Sequence, residues 1–300
     1  MTSMEFEFVK MHGAGNDYVY VDCFNQPSPL DPCRLARVIS DRHCGVGSDG
    51  LVLMQKSQGA SVFMRMFNAD GSESEMCGNG VRCVAHLAVA NGHAKAPLVS
   101  VETGRGVLSL VVTQTGPRTS QVRVDMGEPI LKPSNVPVLV IEENQEKPIV
   151  DGLCSPLGEA QGWWKTSGLD PRMTIVSMGN PHVVLYCRDT TLVPLETIGP
   201  AIENHSIFPK RINVHFVEVL SPDRVRMRTW ERGSGITQAC GTGASAVCVA
   251  GVLSGRSHRK IVAEVPGGNL ELDWDESSGT VFMTGPAEEV FRGRWPVKAC

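Results

Sequence analysis

The sequence predicts an α+β fold: two pseudo-symmetric domains from an internal duplication. Each is expected to be a mostly antiparallel, curved sheet around a buried central helix, with the active site in the cleft between them. Three observations predict it. Short, β-branched, half-alternating segments bounded by turn residues recur along all 300 residues. Two segments, "NGVRCVAHLAVANGH" and "TGASAVCVAGVLSG", are apolar on nearly all sides, as helices enclosed by other elements are. Several motifs also return in order at a near-constant spacing.

The strands are read in chain order. The first half supplies "FEFVKMH", "YVYVDCF", "GLVLMQK", "ASVFMRMFN", "VLSLVVTQ" and "QVRVDMG". The second supplies "VPVLVIEE", "TIVSMGN", "HVVLYC", "INVHFVEVL", "RVRMRTW", "KIVAEVPG", "NLELDWD" and "TVFMTGP". A further helix is expected in "DPCRLARVISDRHCG", from its leading Asp-Pro and trailing Gly. Residues 142–173, "EENQEKPIVDGLCSPLGEAQGWWKTSGLDPRM", are the least periodic stretch and read as a peripheral insertion or long loop, whose Trp163–Trp164 pair packs locally.

The register of the duplication is explicit. Cys240 lies 163 residues after Cys77, Asn213 lies 163 after Gly50, and Asn180 lies 164 after Asn16. Asn68 and Glu231 each stand nine residues before a cysteine. The boundary falls after "VRVDMGEP", giving halves 1–128 and 129–283, with 284–300 packing back onto the first.

With 42% hydrophobic and 20% charged residues, the chain buries a real core. A net charge of −4 and scattered basic residues exclude a nucleic-acid groove or a polybasic membrane patch. "MTSMEFEFVK" lacks a signal-peptide pattern and no apolar run is long enough to span a bilayer, so the protein is read as soluble and cytoplasmic. The ten cysteines show no C-x-x-C and no zinc spacing, so no metal site is expected. Cys83 and Cys248 are assigned to the core.

Cys77 and Cys240 stand apart because each precedes a Gly-x-Gly at a helix start. The positive end of a helix favours thiolate over thiol. The glycines let backbone approach a ligand and leave N–H donors directed at an anion. Two such units suit inversion of a stereocentre beside a carboxylate. One thiolate removes the α-proton, a thiol on the opposite face delivers another, and the amides stabilise the carbanionic transition state. Such a pair titrates as a coupled unit.

"FVKMHGAGNDYVYVD", "FNADGSESEMCGNGVRC", "SMGNPHVV", "INVHFVEV" and "WERGSGITQACGTGASA" together closely resemble the diaminopimelate epimerases. The resemblance runs over nearly the whole chain and is weakest at 132–172. It implies an epimerase with no cofactor, interconverting LL- and meso-2,6-diaminopimelate for lysine and peptidoglycan synthesis, and a homodimer. By matching motif, Cys77 and Cys240 resemble the acid–base thiols. Gly78, Asn79, Gly241 and Thr242 resemble the cradle for the reacting carboxylate. Asn16, Asn68, Asn180 and Asn213 match substrate-binding asparagines. Arg232 matches the arginine on the far carboxylate, and Glu231 an acceptor for ammonium. His182 resembles a histidine that tunes the thiols together with Glu231.

The chain departs from the family at two positions. Ile236 replaces a common Glu, which is expected to remove a buried acceptor, and Gly50 stands where some members have Gln. The rival readings are a proline, hydroxyproline or histidine racemase of the same fold, an idle amino-acid-binding protein, or a thiol redox sensor. The first cysteine motif reads Cys-Gly-Asn-Gly rather than the Cys-Gly-His-Gly usual in proline racemases.

Overall fold

The computed structural model describes residues 4–75, 77–139, 146–153 and 168–297. Trp163, Trp164, Cys154, Cys300 and residues 140–143 of "VPVLVIEE" lie outside the described residues. The chain opens with β1 (Met4–Gly13), β2 (Asn16–Asp22), α1 (Pro32–Ser40), β3 (Gly50–Gln55), β4 (Val62–Asn68) and β5 (Glu73–Ser74). Next come α2 (Gly78–Ala90), β6 (Leu98–Thr103), β7 (Gly106–Gly116), β8 (Thr119–Asp125), β9 (Gly152–Leu153) and β10 (Leu169–Ser177). Then follow β11 (Pro181–Cys187), α3 (Leu195–Glu203), β12 (Asn213–Ser221), β13 (Arg224–Glu231) and β14 (Gly235–Thr237). The last elements are α4 (Gly241–Leu253), β15 (Lys260–Val265), β16 (Gly268–Trp274) and β17 (Val281–Val297).

These elements fall into two units, Met1–Val124 with Thr284–Cys300, and Asp125–Met283. In the first, β1–β2, β3–β4, β4–β5, β6–β7 and β7–β8 pair antiparallel, while β2–β3 and β4–β6 pair parallel. β17 pairs antiparallel with the other edge of β1, from Met4↔Val297 to His12↔Glu288. In the second unit the same scheme returns. β10–β11, β12–β13, β13–β14 and β15–β16 are antiparallel, and β11–β12 and β13–β15 are parallel.

Strands sandwiched between two helix layers are buried on both faces. Val19, Val21, Leu51 and Leu53 pack under Ala36 and Ile39 of α1. The alternate residues of β2 face α2, whose flank is further closed by β1, β4, β6 and β7. In the second unit Val183, Leu185, Val214 and Phe216 pack under Ile198 and Ile202 of α3, and α4 takes the other face. The helix-facing positions are therefore those of Tyr18 and Tyr20 in one unit and His182 and His215 in the other.

Three sequence readings change. α3 was not expected, because Gly199 and Pro200 fall inside it; the burial of Ile198 and Ile202 overrides their poor propensity. The run "LVSVET" after Pro97 forms β6, a further strand beyond those read from the sequence. Val136–Leu139 forms no strand, because a single 3-10 turn begins at Pro133 and the Pro133 carbonyl takes the Val136 and Val138 N–H groups.

No helix among the described residues is long and apolar enough to cross a membrane. At Gly50 the β3–β4 pairing leaves no room for a side chain. A Cβ there would stand 2.1 Å from the Phe67 carbonyl oxygen and 2.9 Å from the Tyr18 ring. Gly50→Ala is therefore expected to lower the urea midpoint by an amount equivalent to about 1–3 kcal/mol of overpacking. An unchanged midpoint would contradict this geometry.

Candidate active site

Each buried helix begins one residue after a cysteine in extended backbone. Cys77 (φ −134°, ψ 124°) caps α2 and Cys240 (φ −123°, ψ 104°) caps α4, and both helices run for 13 residues. Neither cysteine caps its helix through the side chain, and each sulfur makes its contacts elsewhere. The helices also end alike, at Asn91 and Ser254, each followed by a glycine of positive φ. The local geometry that places each sulfur is thus set twice by one sequence pattern.

Around Cys77 the polar groups form one chain. The thiol donates to Asn16 Oδ1 at 3.4 Å, and Asn79 Nδ2 donates to the same oxygen at 3.4 Å. Asn16 Nδ2 in turn donates to Asp49 Oδ2 at 2.6 Å. Arg42 bridges Asp49 at 2.9 Å and Asp17 at 2.8 Å, and Lys10 pairs with Asp17. From beneath, fully buried Arg82 donates to Asn79 Oδ1 at 3.0 Å, Gly78 O at 3.3 Å and Pro286 O at 3.1 Å. Tyr18 lies within hydrogen-bonding reach of both Cys77 and Asn16. Burial first, then the neighbouring Cys77 and the negative charge of Asp49, holds its phenol protonated far above the usual range.

Around Cys240 the chain is different. Cys240 Sγ and Thr242 Oγ1 lie 3.7 Å apart, and Asn180 Nδ2 donates to Thr242 Oγ1 at 3.4 Å. His182 Nε2 meets Asn180 Oδ1 at 3.0 Å, His182 Nδ1 meets His215 Nε2 at 2.9 Å, and His215 Nδ1 meets Thr229 Oγ1 at 3.0 Å. Both imidazoles are fully buried. Burial pushes the His215 pKa down to about 3. Burial, then the neighbouring His215 imidazole and the charge of Arg232, pushes His182 well below the usual range.

The remaining expected residues are each held by bonds within their own unit. Asn68 holds a turn, with Nδ2 donating to Ser72 Oγ at 3.0 Å. Asn213 joins two segments: Nδ2 donates to Pro181 O at 2.8 Å and Oδ1 accepts from the Arg232 N–H at 3.0 Å. The Arg232 guanidinium donates to Lys210 O at 3.0 Å and, among the described residues, faces no carboxylate partner. Glu231 accepts from Thr237 Oγ1 at 2.6 Å. Both ring nitrogens of His182 are engaged with Asn180 and His215, so it reaches Cys240 through Asn180 and Thr242.

Ile236 corrects an expectation. It is 40% exposed on β14, so the departure removes no buried acceptor, and the neighbouring Thr237 is the residue bonded to Glu231. Cys83 and Cys248 are fully buried, which pushes their thiols up to about 11 and about 12. Among the described residues no group of three or more His, Cys, Asp and Glu is arranged to hold a metal ion.

Sequence reasoning missed Tyr18, Asp49, Arg82, His215 and Thr229. A signal existed for one of them: Tyr18 follows Asn16 by two residues, as His182 follows Asn180.

Comparison with known proteins places the chain in a family. The model of the family described as "Diaminopimelate epimerase" matches residues 8–132 and 174–290. A diaminopimelate epimerase of Acetivibrio thermocellus is 48% identical over 286 residues, covering 95% of this chain and 97% of that one. One of Pelotomaculum thermopropionicum is 47% identical over 292 residues, covering 97% and 99%. Among solved structures, a predicted epimerase from Pseudomonas aeruginosa superposes with a TM-score of 0.69 at 13% identity, covering 98% of this chain and all of that one. A probable proline racemase from Agrobacterium radiobacter gives 0.65 at 14% identity, covering 98% and 93%. At such identities these two share the fold alone.

The buried imidazoles make stability acid-sensitive. An unfolded chain protonates them below about pH 6.5, whereas the fold keeps them neutral until far lower, so the unfolded state binds more protons. Stability therefore falls as pH drops below 6.5, by up to about 1.4 kcal/mol per pH unit for each histidine. His86, whose pKa burial also lowers, adds in the same direction. Asp17, held below its usual range despite burial by Arg42 and Lys10, contributes to acid loss only nearer pH 4 and below. Urea midpoints at pH 7.5, 6 and 5 should decline steadily, and equal midpoints would refute the neutral assignment.

Proposed function

The chain belongs to the diaminopimelate epimerase family, and we propose on that footing that Cys77 and Cys240 are its two proton carriers. The enzyme is an isomerase that epimerises diaminopimelate between its LL and meso forms. One thiolate takes the α-proton as the carbanion forms, and the other thiol delivers a proton to the opposite face; the roles exchange with direction. The observation that carries this reading is the repeated position of the two cysteines, each in extended backbone one residue before a buried 13-residue helix.

The first-turn amides of α2 and α4, from Gly78–Asn79 and Gly241–Thr242, lack intrahelical partners by helix geometry and suit a carboxylate gaining charge. Asn16, Asn68, Asn180 and Asn213 bind or frame the substrate, and Glu231 accepts from an ammonium group. Arg232 binds the far carboxylate, a role supported by its lack of a carboxylate partner among the described residues. The enzyme is further read as a cytoplasmic homodimer that uses no cofactor, and light scattering tests the dimer.

The direct test is deuterium exchange at the substrate α-carbon together with turnover. Cys77→Ala and Cys240→Ala should each abolish epimerisation in a folded protein, and near-normal turnover by either would overturn the two-thiol assignment. Arg232→Lys keeps the charge but loses the planar fork. A charge-assisted contact of about 1.5–3 kcal/mol corresponds to a roughly ten- to hundred-fold fall in kcat/KM. Racemisation of lysine or histidine by the unaltered enzyme as efficiently as diaminopimelate would overturn the substrate.

A further inference from the structure

Equivalent positions in the two units carry hydrogen bonds of opposite polarity. Asn180 corresponds to Asn16, at an offset of 164, and Thr242 to Asn79, at 163. In the first unit Asn79 donates to Asn16, whose oxygen also accepts from the Cys77 thiol. In the second the direction reverses, and Asn180 donates to Thr242. The far end of each amide accounts for the reversal. Asp49 Oδ2, an acceptor, takes the NH2 of Asn16 and turns its oxygen toward Cys77. Asn180 instead presents its oxygen to His182 Nε2.

The links beyond Asn180 follow from donor and acceptor counting. A neutral imidazole has one N–H and one acceptor nitrogen. With Nε2–H given to Asn180, His182 Nδ1 must accept, so His215 donates from Nε2 and accepts at Nδ1 from the Thr229 hydroxyl. Thr242, having accepted from Asn180, has its single hydroxyl proton available to point at Cys240 Sγ. His182, His215 and Thr229 are all buried, which keeps water from supplying alternative partners. Among the described residues, the charged or titratable groups facing this chain are the two histidines themselves, from β11 and β12, and Arg232, whose charge reaches His182.

Among the described residues, the first unit has no such chain. The counterparts of His215 and Thr229 are Val52 and Met66, and the counterpart of Asp49 is Ile212, each at an offset of 163. The His215 ring also lies directly against the start of α4. A Cβ on Gly243 would stand 2.2 Å from His215 Cε1.

We propose that His215 is a positioning residue, which fixes His182 and through it the Asn180 amide, so that Thr242 donates to Cys240 and favours its thiolate. Cys77, whose own proton goes to the Asn16 oxygen, is favoured as thiol, and the titratable group facing it from β2 is the Tyr18 phenol, which lies within reach of both. The substrate-free enzyme is thereby set with Cys240 as its base and Cys77 as its acid. This rests on the reading that both thiols carry protons, but its test needs no turnover.

The test is the pH dependence of iodoacetamide alkylation in the full-length, substrate-free protein, resolved at Cys77 and Cys240 by peptide mass spectrometry. In the unaltered protein Cys240 should have the lower midpoint. His215→Val should raise that midpoint by about one to two pH units, the scale of one hydrogen bond to a charged group. Thr229→Val, which is isosteric, should raise it less. His215→Gln, whose amide can donate to His182 and accept from Thr229, should return it toward the original value. The Cys77 midpoint should hold throughout. The proposal is overturned by an unmoved Cys240 midpoint in folded His215→Val or Thr229→Val, by equal movement at Cys77, or by no recovery in His215→Gln. If His215→Val does not fold, Thr229→Val decides alone. Failure of the two-thiol reading would be seen separately, as turnover surviving Cys77→Ala or Cys240→Ala.

Discussion

A helix enclosed on every side has only its ends with which to do chemistry. All its interior amides are spent on its own carbonyls, and only the first turn retains N–H groups that must find partners elsewhere. In α2 and α4 that turn follows a cysteine in extended backbone, so the sulfur and the unspent donors emerge at the same place. Much else in the molecule serves this arrangement. Strands buried on both faces are needed to wall in the helices, and α1 and α3 are needed to cover the outer faces of those strands. Glycine at the start of the helices allows neighbouring rings and backbone to approach, as His215 does at Gly243.

The polar groups near each sulfur are set with the same economy. Buried Arg82 is tied to two carbonyls and an amide oxygen at the foot of α2, and so holds Asn79 in place. The two buried imidazoles of the second unit are bonded at both ring nitrogens. A low-dielectric interior rewards such completeness, because a half-paired group would cost more than the whole network contributes. The two amides Asn16 and Asn180 then differ in which end is turned toward the first turn of the helix. That difference is decided by Asp49 on one side and a histidine on the other, not by the motif itself.

What the sequence made legible was the part that repeats. The cysteine motif, the two enclosed helices, the helix after Asp31 and most strands could be read from pattern alone. Side chains that support the cysteines could not, and the reason is the double burial of the strands. When both faces of a strand are apolar, period-two alternation no longer says which residues turn toward the helix. His215 in "INVHFVEV" and Tyr18 in "NDYVYV" therefore looked like ordinary strand residues. Asp49 lies in a turn before β3, and only the fold carries its carboxylate to Asn16. Conversely, α3 contains Gly199 and Pro200, and its helical state comes from tertiary packing that local propensity opposes.

The path of β17 has a consequence for how the chain comes to be folded during synthesis. β1 is among the first residues to leave the ribosome, yet one of its two edges is covered only by residues 288–297 of β17. Every element of the Asp125–Met283 unit is translated in between. That unit is complete in the nascent chain while the earlier one still lacks its final strand, the reverse of the usual amino-to-carboxyl order. Until β17 arrives, β1 presents an open row of backbone donors and acceptors, the kind of edge to which another chain adds. The interval of greatest exposure to misassembly thus lies late in translation, and its length is set by the speed of the ribosome rather than by the stability of the finished enzyme.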